Sequence, residues 1–235
     1  MIEELLPESV VAVEAHGDDG TGPAALYPEE EALITRAVAK RRREFTAVRG
    51  CARRAMEKLG VPPQPVLTGE RGAPRWPAGL VGSMTHCDAY CAAALVPATD
   101  LASLGIDAEP HAPLPEGVLD SIALPSERER LRRLTADTPG IHFDRLLFSA
   151  KESVYKAWFP LTRQWLDFSE ADIALRTDPA VREGVGSGGF RAELLVPGPL
   201  VGGARVAAFH GRWTVQRGLL ATAVTVEHGA PPEKS

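Results

Sequence analysis

The sequence FSAKESVYKAW, residues 148–158, is typical of a long helix that carries charged groups along one edge. It places Glu152 between Lys151 and Lys156, among aromatic side chains at helical spacing. Glu152 and Lys156 lie one turn apart, so an exposed ion pair worth about 0.2–0.5 kcal/mol is one interpretation. The aromatic neighbours favour a second interpretation, in which these charges line the edge of a cleft.

The flanking sequence predicts an α+β protein made of two similar subdomains. Helices are expected over Pro28–Leu59 with a break near Lys40, around Ser126–Leu134, and over Phe143–Phe159, where Pro160 ends the last one. Strands are expected over the ranges Ser9–Ala15, Leu80–Thr85, Tyr90–Val96, Ala102–Glu109, Ala171–Arg176, Phe190–Val196, Ala204–Thr214 and Leu219–Val226. Gly184–Gly189 is expected to form a flexible turn.

The proline-rich run 111–115 is interpreted as a linker. It would separate an N-terminal subdomain of residues 1–110 from a C-terminal subdomain of residues 111–235. Each subdomain is predicted to hold a small antiparallel sheet packed with a long helix. A functional cleft between them would draw residues from both.

The composition indicates an ordinary globular protein. The 235 residues carry a formal net charge of −5, which gives no indication of nucleic-acid binding. The N-terminus does not resemble a signal peptide, and no apolar run approaches the roughly 20 residues that span a bilayer. Three cysteines without paired spacing indicate neither a disulfide framework nor a zinc site. We therefore expect a cytoplasmic monomer without membrane or nucleic-acid partners.

A second acidic segment is GIDAEP, residues 105–110. Alternate side chains of a strand share a face, so Asp107 and Glu109 are predicted to lie side by side. Taken alone, the pair is interpreted as a solvated strand end. Together with Glu152, however, it supplies three carboxylates next to lysines. This combination indicates a divalent cation that holds a phosphorylated substrate.

Hydroxyl and basic groups elsewhere complete the candidate site. Ser83 and Thr85 could bind phosphate oxygens, and His86 could add a further donor, although a histidine at a strand end is more often structural. Arg41 and Arg49 lie two helical turns apart, a spacing suited to a phosphate group, but a solvated basic face explains them equally well.

These motifs together resemble the phosphopantetheinyl transferases of the Sfp/EntD type, most closely their actinobacterial branch. The resemblance runs from about Arg41 to Trp158. It is carried by four segments: residues 41–53 (RRREFTAVRGCAR), 81–87 (VGSMTHC), 105–110 and 148–158. The combination of Asp-x-Glu followed by Lys-Glu-x-x-x-Lys is its most specific part.

The resemblance implies transfer of the 4′-phosphopantetheine arm of coenzyme A to a serine of a carrier protein, with release of 3′,5′-ADP. It implies a fold of two subdomains related by a pseudo-twofold axis. It implies that Asp107, Glu109 and Glu152 bind Mg²⁺ and that Glu152 also removes the proton from the carrier serine. Lys151 and Lys156 would contact phosphate, and Lys156 would also steady the leaving group. Arg41, Arg49 and His86 would bind the 3′-phosphate and nearby phosphates.

One position departs from the family pattern. Close relatives have a lysine in the loop where this chain has Thr68, and Arg71 is the candidate to replace its charge. The expected partners are acyl or peptidyl carrier proteins of polyketide, nonribosomal-peptide, fatty-acid or siderophore assembly. Carrier proteins are usually acidic, so the basic residues Arg53, Arg54 and Lys58 are candidates for docking them.

Two other functions remain open from the sequence. The same carboxylates could serve a magnesium-dependent phosphohydrolase or nucleotidyltransferase, which would need no carrier protein. Alternatively, they could be structural parts of a non-catalytic coenzyme A-binding module, which would release no 3′,5′-ADP.

Overall fold

The computed structural model describes residues 1–17, 25–179 and 184–229. Its α-helices are α1 (Pro28–Leu33), α2 (Ala39–Lys58), α3 (Val118–Ile122), α4 (Pro125–Asp137) and α5 (Phe143–Thr162). Its strands are β1 (Val11–His16), β2 (Leu67–Thr68), β3 (Pro74–Arg75), β4 (Leu80–Cys87), β5 (Tyr90–Pro97), β6 (Ser103–Pro110), β7 (Ala171–Thr177), β8 (Gly186–Leu194), β9 (Leu200–Val201), β10 (Ala204–Arg205), β11 (Ala208–Gln216) and β12 (Leu219–Val226).

The first half of the protein is an antiparallel sheet of three strands, in the order β1-β5-β4, covered by the 20-residue helix α2. The central strand β5 is rich in alanine, and small side chains let the helix approach closely. Ala52 and Met56 of α2 are fully buried against Ala93 and Leu95 of that strand. Burial of this apolar face stabilises the helix more than its own propensity does.

The second half repeats this arrangement on a larger scale. Five antiparallel strands in the order β6-β12-β11-β8-β7 form its sheet, and the 20-residue helix α5 packs against it. Trp158 and Trp213 lie in the core between helix and sheet at 1% and 0% exposure. The expectation of an α+β protein with two helix-on-sheet units is therefore confirmed.

The boundary between the two sheets lies before β6, whereas the sequence placed it after Pro110. Strand β6 pairs along its whole length with β12, from Ser103 opposite Val226 to Pro110 opposite Leu219. The partners lie more than a hundred residues apart, so local patterning gave no sign of the pairing. Asp107 and Glu109 consequently belong to the second sheet, at the edge that faces β4.

Two local expectations were wrong. Pro160 does not end α5, which continues to Thr162 and stops where Arg163 adopts a left-handed conformation (φ 57°). Gly186–Gly189, expected as part of a flexible turn, lie in β8. Gly188 is required there, because a Cβ would lie 2.7 Å from Nε1 of Trp213 and 2.0 Å from the carbonyl oxygen of Arg176. None of the helices in the described ranges is long and apolar enough to cross a bilayer.

Candidate active site

Helix α5 lies unusually close to strand β6, and this approach assembles the site. A Cβ on Gly105 would lie only 2.0 Å from the carbonyl oxygen of Ser153, so only glycine fits between the two elements. Ser103 further fastens them, since its hydroxyl donates to the carbonyl of Ala157 at 2.7 Å. The polar edge of α5 is thereby held against the carboxylates of β6.

Asp107 is the buried centre of the site. Its Oδ1 accepts hydrogen bonds from Nζ of Lys156 at 2.7 Å and from Oγ1 of Thr85 at 3.2 Å. Its Oδ2 is buried and has no hydrogen-bond partner among the described residues. A buried carboxylate oxygen without a partner is costly unless a cation or donor completes it, so this atom marks a place for a ligand.

Glu152 is the carboxylate that remains available. It makes no hydrogen bond or ion pair with any residue in the described ranges, although it lies one helical turn from Lys156. Burial raises its pKa, the charge of Lys156 opposes that rise, and the charge of Asp107 adds to it. A half-buried carboxylate of raised pKa and with no internal partner is suited to accepting a proton.

Glu109 is held by an arginine that the sequence did not single out. Nη1 of Arg145 donates to Oε2 of Glu109 at 2.9 Å. Burial and the charge of Asp107 raise the pKa of Glu109, and Arg145 acts in the opposite direction. No motif marked Arg145; only its position on α5, two turns before Glu152, could have suggested a shared face.

The three carboxylates do not surround one point. Within residues 1–17, 25–179 and 184–229, no group of three or more His, Cys, Asp or Glu side chains is arranged to hold a metal ion. Lys156 and Arg145 each neutralise one carboxylate oxygen instead. The oxygen ligands still suit Mg²⁺, because Oδ2 of Asp107 lacks a partner and Glu152 is unpaired in the described part of the chain.

Arg41 and His86 come together at the edge of the site. Nη1 of Arg41 lies 2.8 Å from Nε2 of His86, and Glu44 lies 3.5 Å from the same ring nitrogen. Burial lowers the pKa of His86, and the nearby charge of Arg41 lowers it further. Because a guanidinium can only donate, Nε2 of His86 accepts in this contact, and the exposed Arg41 is the member of the pair that offers further donors to an anion.

Arg49 is directed into the protein and not toward this surface. Its side chain is 6% exposed, its Nε donates to the carbonyl of Val66 at 3.0 Å, and its guanidinium lies over the ring of Phe45. Desolvation lowers its pKa to about 10, while Glu30 opposes that change. This placement does not support direct phosphate binding by Arg49.

Ser83 and Thr85 join the two sheets. The Ser83 hydroxyl accepts a hydrogen bond from the N–H of Ile106 at 3.0 Å, and the Thr85 hydroxyl accepts one from the N–H of Ala108 at 3.1 Å. Both residues are only 3% exposed, and their hydroxyls take the place of a backbone ladder between β4 and β6. Phosphate binding by these hydroxyls is therefore not supported.

Lys151 also differs from its expected role. Its amine donates to the carbonyls of Phe168 at 2.6 Å and Ala171 at 2.9 Å, and it pairs with the buried carboxylate of Glu127 at 3.0 Å. Burial lowers its pKa, and Glu127 opposes that shift. The amine is thus used inside the second half and is not directed to the carboxylates.

Glu152 also forms part of the lining of a cavity. Aromatic and aliphatic groups dominate its lining, which includes Val154, Tyr155, Trp165, Leu166 and Phe168. The guanidinium of Arg71 lies 5.5 Å from the ring centre of Trp165, one of the residues that line this cavity. The 67–75 hairpin, which also contains Thr68, therefore contacts the second half beside Glu152.

Comparisons with known proteins agree with this geometry. The family model of the 4′-phosphopantetheinyl transferase N-terminal domain matches residues 29–96, and that of the 4′-phosphopantetheinyl transferase superfamily matches residues 103–196. The 4′-phosphopantetheinyl transferase Svp of Streptomyces mobaraensis is 55% identical over 96% of this chain and 89% of its own length. Npt of Nocardia iowensis is 50% identical over 95% of this chain and 99% of its own.

A third relative has a lower sequence identity but matches over a similar share of both chains. The 4′-phosphopantetheinyl transferase PptT of Mycobacterium tuberculosis is 45% identical over 96% of this chain and 98% of its own length. Matches of this extent cover both helix-on-sheet units and every carboxylate of the site. The chain therefore belongs to the 4′-phosphopantetheinyl transferase superfamily, whose members are transferases.

Proposed function

We propose that this chain transfers 4′-phosphopantetheine from coenzyme A to a carrier-protein serine at the cluster of Asp107, Glu152 and Lys156, and that it needs Mg²⁺. The observation that carries the proposal is the unpaired Glu152 carboxylate beside the buried Asp107–Lys156 pair. This arrangement provides a proton acceptor, a cation and an incompletely satisfied carboxylate within one small region.

Glu152 acts as the base. It takes the proton of the carrier serine while the serine oxygen attacks the phosphorus that bears the pantetheine arm. A new bond forms between the serine oxygen and this phosphorus. The bond from the same phosphorus to the bridging oxygen of the pyrophosphate breaks, and 3′,5′-ADP leaves with that oxygen. Burial raises the pKa of the Glu152 carboxyl in the metal-free protein, and a bound Mg²⁺ would lower it again.

Lys156 stabilises the charge that develops on the departing phosphate. Its side chain is 26% exposed and its amine contacts Oδ1 of Asp107, so Lys156 lies at the boundary between the protein interior and solvent. A fixed ammonium group at this boundary favours a transition state in which negative charge moves to the leaving oxygen.

Asp107, Glu109 and Glu152 would hold Mg²⁺ once their side chains turn toward one ion, with substrate oxygens completing its ligands. The unpartnered Oδ2 of Asp107 supports this assignment. Bound magnesium supplies neutralisation of the pyrophosphate charge. The chain's own contribution is to keep Asp107 fixed between Lys156 and Thr85.

Coenzyme A is proposed to bind with its nucleotide phosphates at Arg41 and His86. Its arm would enter the cavity lined by Tyr155 and Trp165, which offers apolar contacts to the methyl groups and methylenes of pantetheine. Arg71 contacts Trp165, so we assign it to the arm and not to the 3′-phosphate.

Acidic carrier proteins remain the proposed acceptors, in polyketide, nonribosomal-peptide, fatty-acid or siderophore assembly. The expected docking role of Arg53 is not supported, because Arg53 is 7% exposed and pairs with Glu30 at 2.8 Å. Lys58, at the exposed end of α2, is still a candidate. The monomeric state and the cytoplasmic location stay predictions.

The function is tested by incubating the protein with coenzyme A and a panel of apo carrier proteins, with Mg²⁺ or with a chelator. We expect the carrier mass to rise by one phosphopantetheine group and 3′,5′-ADP to appear, only with Mg²⁺. A phosphohydrolase would consume a phosphorylated substrate without any carrier. A binding module would bind coenzyme A and release no 3′,5′-ADP, and either result would overturn the proposal.

A further inference from the structure

Arg145 uses all parts of its guanidinium in the second half of the protein. It is the third residue of α5, and its Nη1 donates to Oε2 of Glu109 at 2.9 Å. Its Nε donates to the carbonyl of Ala112 at 3.3 Å and its Nη2 to the carbonyl of Pro113 at 2.9 Å. One side chain thus fastens the carboxylate to the chain segment that follows β6.

These contacts are more constrained than those of a surface ion pair. The side chains of Arg145 and Glu109 are 17% and 20% exposed, so both charges are largely removed from water. The neighbouring Asp144 accepts the N–H of Leu114 at 2.8 Å, which fixes the same segment from a second point. A planar guanidinium held at three acceptors has little rotational freedom left.

Arg145 contacts Glu109 in the same way as Lys156 contacts Asp107, through one carboxylate oxygen. Lys156 contacts Oδ1 of Asp107 and leaves Oδ2 without a partner, and Arg145 contacts Oε2 of Glu109. The Glu109 carboxylate accepts no other hydrogen bond from the described residues. Each carboxylate of β6 therefore has one oxygen bound to a cation and one oxygen available.

We propose that Arg145 is a positioning residue, which holds Glu109 so that its second oxygen stays available to Mg²⁺. This inference rests on the proposed function, because it assigns Glu109 to the metal. Arg145 itself does not need to touch the substrate. Its role is to prevent the Glu109 side chain from turning away into solvent, which the charge of Asp107 would otherwise favour.

The test titrates Mg²⁺ into the protein by calorimetry with saturating coenzyme A and no carrier. For Arg145→Gln we expect Mg²⁺ affinity to fall by about 10-fold, as is usual when a group that orients a metal ligand is removed. Arg145→Lys should recover only part of it, since an amine cannot hold three acceptors at once. Arg133→Gln, on an arginine that is 73% exposed, is the matched control and should leave the affinity unchanged.

The direction in which Mg²⁺ affinity changes in Arg145→Gln distinguishes a positioning role of Arg145 from simple charge compensation. If Arg145 were only a competing cation, its removal would strengthen Mg²⁺ binding, and that result would overturn the inference. Glu109→Gln should weaken Mg²⁺ binding, and adding Arg145→Gln to it should weaken binding no further. Additive losses in the double variant, or no Mg²⁺ binding by the unsubstituted protein, would also overturn it.

Transfer kinetics provide a second readout. At an Mg²⁺ concentration that just saturates the unsubstituted protein, we expect Arg145→Gln to have a lower kcat and an unchanged KM for coenzyme A, and higher Mg²⁺ should restore part of the rate. Loss of the proposed function would appear as absence of transfer by the unsubstituted protein. Failure of this inference alone would appear as normal transfer with unchanged Mg²⁺ affinity in Arg145→Gln.

Discussion

Lys151 and Lys156 lie five residues apart on one helix, yet their amines have different surroundings. Lys156 contacts Asp107 at the candidate site, whereas Lys151 pairs with Glu127 inside the second half. The sequence could not separate them, because both are lysines beside one glutamate. The placement of the Lys151 amine is decided by Glu127, which lies 24 residues earlier in the chain, and local spacing carries no information about that pairing.

The first prediction concerns the stability that Lys151 provides. Lys151→Met leaves the Glu127 carboxylate, which is 1% exposed, without its cation. We expect the free energy of unfolding to fall by about 3–5 kcal/mol, as for other broken buried pairs. Urea unfolding at neutral pH measures it. Lys40→Met, which breaks an exposed pair with Asp88, should leave the free energy of unfolding almost unchanged, and equal losses in both variants would refute the assignment.

The second prediction concerns the proton on His86. Burial and Arg41 lower the pKa of His86, which favours the neutral ring in the free protein. A bound phosphate favours the charged ring and raises its pKa, so coenzyme A binding should take up a proton and strengthen as pH falls. Calorimetry in buffers of different ionisation enthalpy measures the uptake. His86→Gln should abolish it, and an unchanged uptake would show that another group is responsible.

At the scale of elements, the two halves share a small repeat that the sequence reading missed. Pro28 and Pro125 each begin a helix, and a glutamate follows two residues later, Glu30 in one case and Glu127 in the other. Both glutamates are at most 1% exposed. Each accepts the N–H of the residue before its proline and an N–H from a downstream segment, at Val66 or Ile173.

Most helix and strand positions were predictable from the sequence, whereas this repeat between the halves was not. Hydrophobic periodicity indicated α2, α5 and β12 almost to their observed ends. A proline and a glutamate alone are too common to mark a repeat. Their equivalence appears only when the buried pairs with Arg53 and Lys151 are seen.

The third prediction tests the close approach of α5 to β6. Gly105→Ala would place a Cβ 2.0 Å from the backbone of Ser153, so the helix must move and carry Glu152 and Lys156 with it. A displacement of about 1 Å should lower kcat by about 100-fold. Steady-state transfer rates measure this. Gly189→Ala, whose Cβ meets nothing closer than 3.5 Å, is the matched control, and equal rates for the two variants would disprove the packing argument.

At the scale of the whole molecule, the site depends on how two sheets meet. Strand β4 contacts β6 through the hydroxyls of Ser83 and Thr85 instead of a backbone ladder. The sequence predicted that Asp107, Glu152 and Lys156 belong to one site, because their residue types suit one reaction. It could not predict that these hydroxyls are structural, since a serine that binds phosphate and a serine that binds an amide look the same in a sequence.

The central claim is that Glu152 removes the proton from the carrier serine. The most direct measurement follows the intact mass of one apo carrier protein over time with coenzyme A and Mg²⁺, for the unsubstituted protein, Glu152→Gln and Glu129→Gln. Glu129 is 42% exposed on α4 and serves as the control. We predict that Glu152→Gln keeps its circular-dichroism spectrum but adds phosphopantetheine about 100- to 10,000-fold more slowly, while Glu129→Gln is unaffected. Transfer by Glu152→Gln at the full rate would contradict the account.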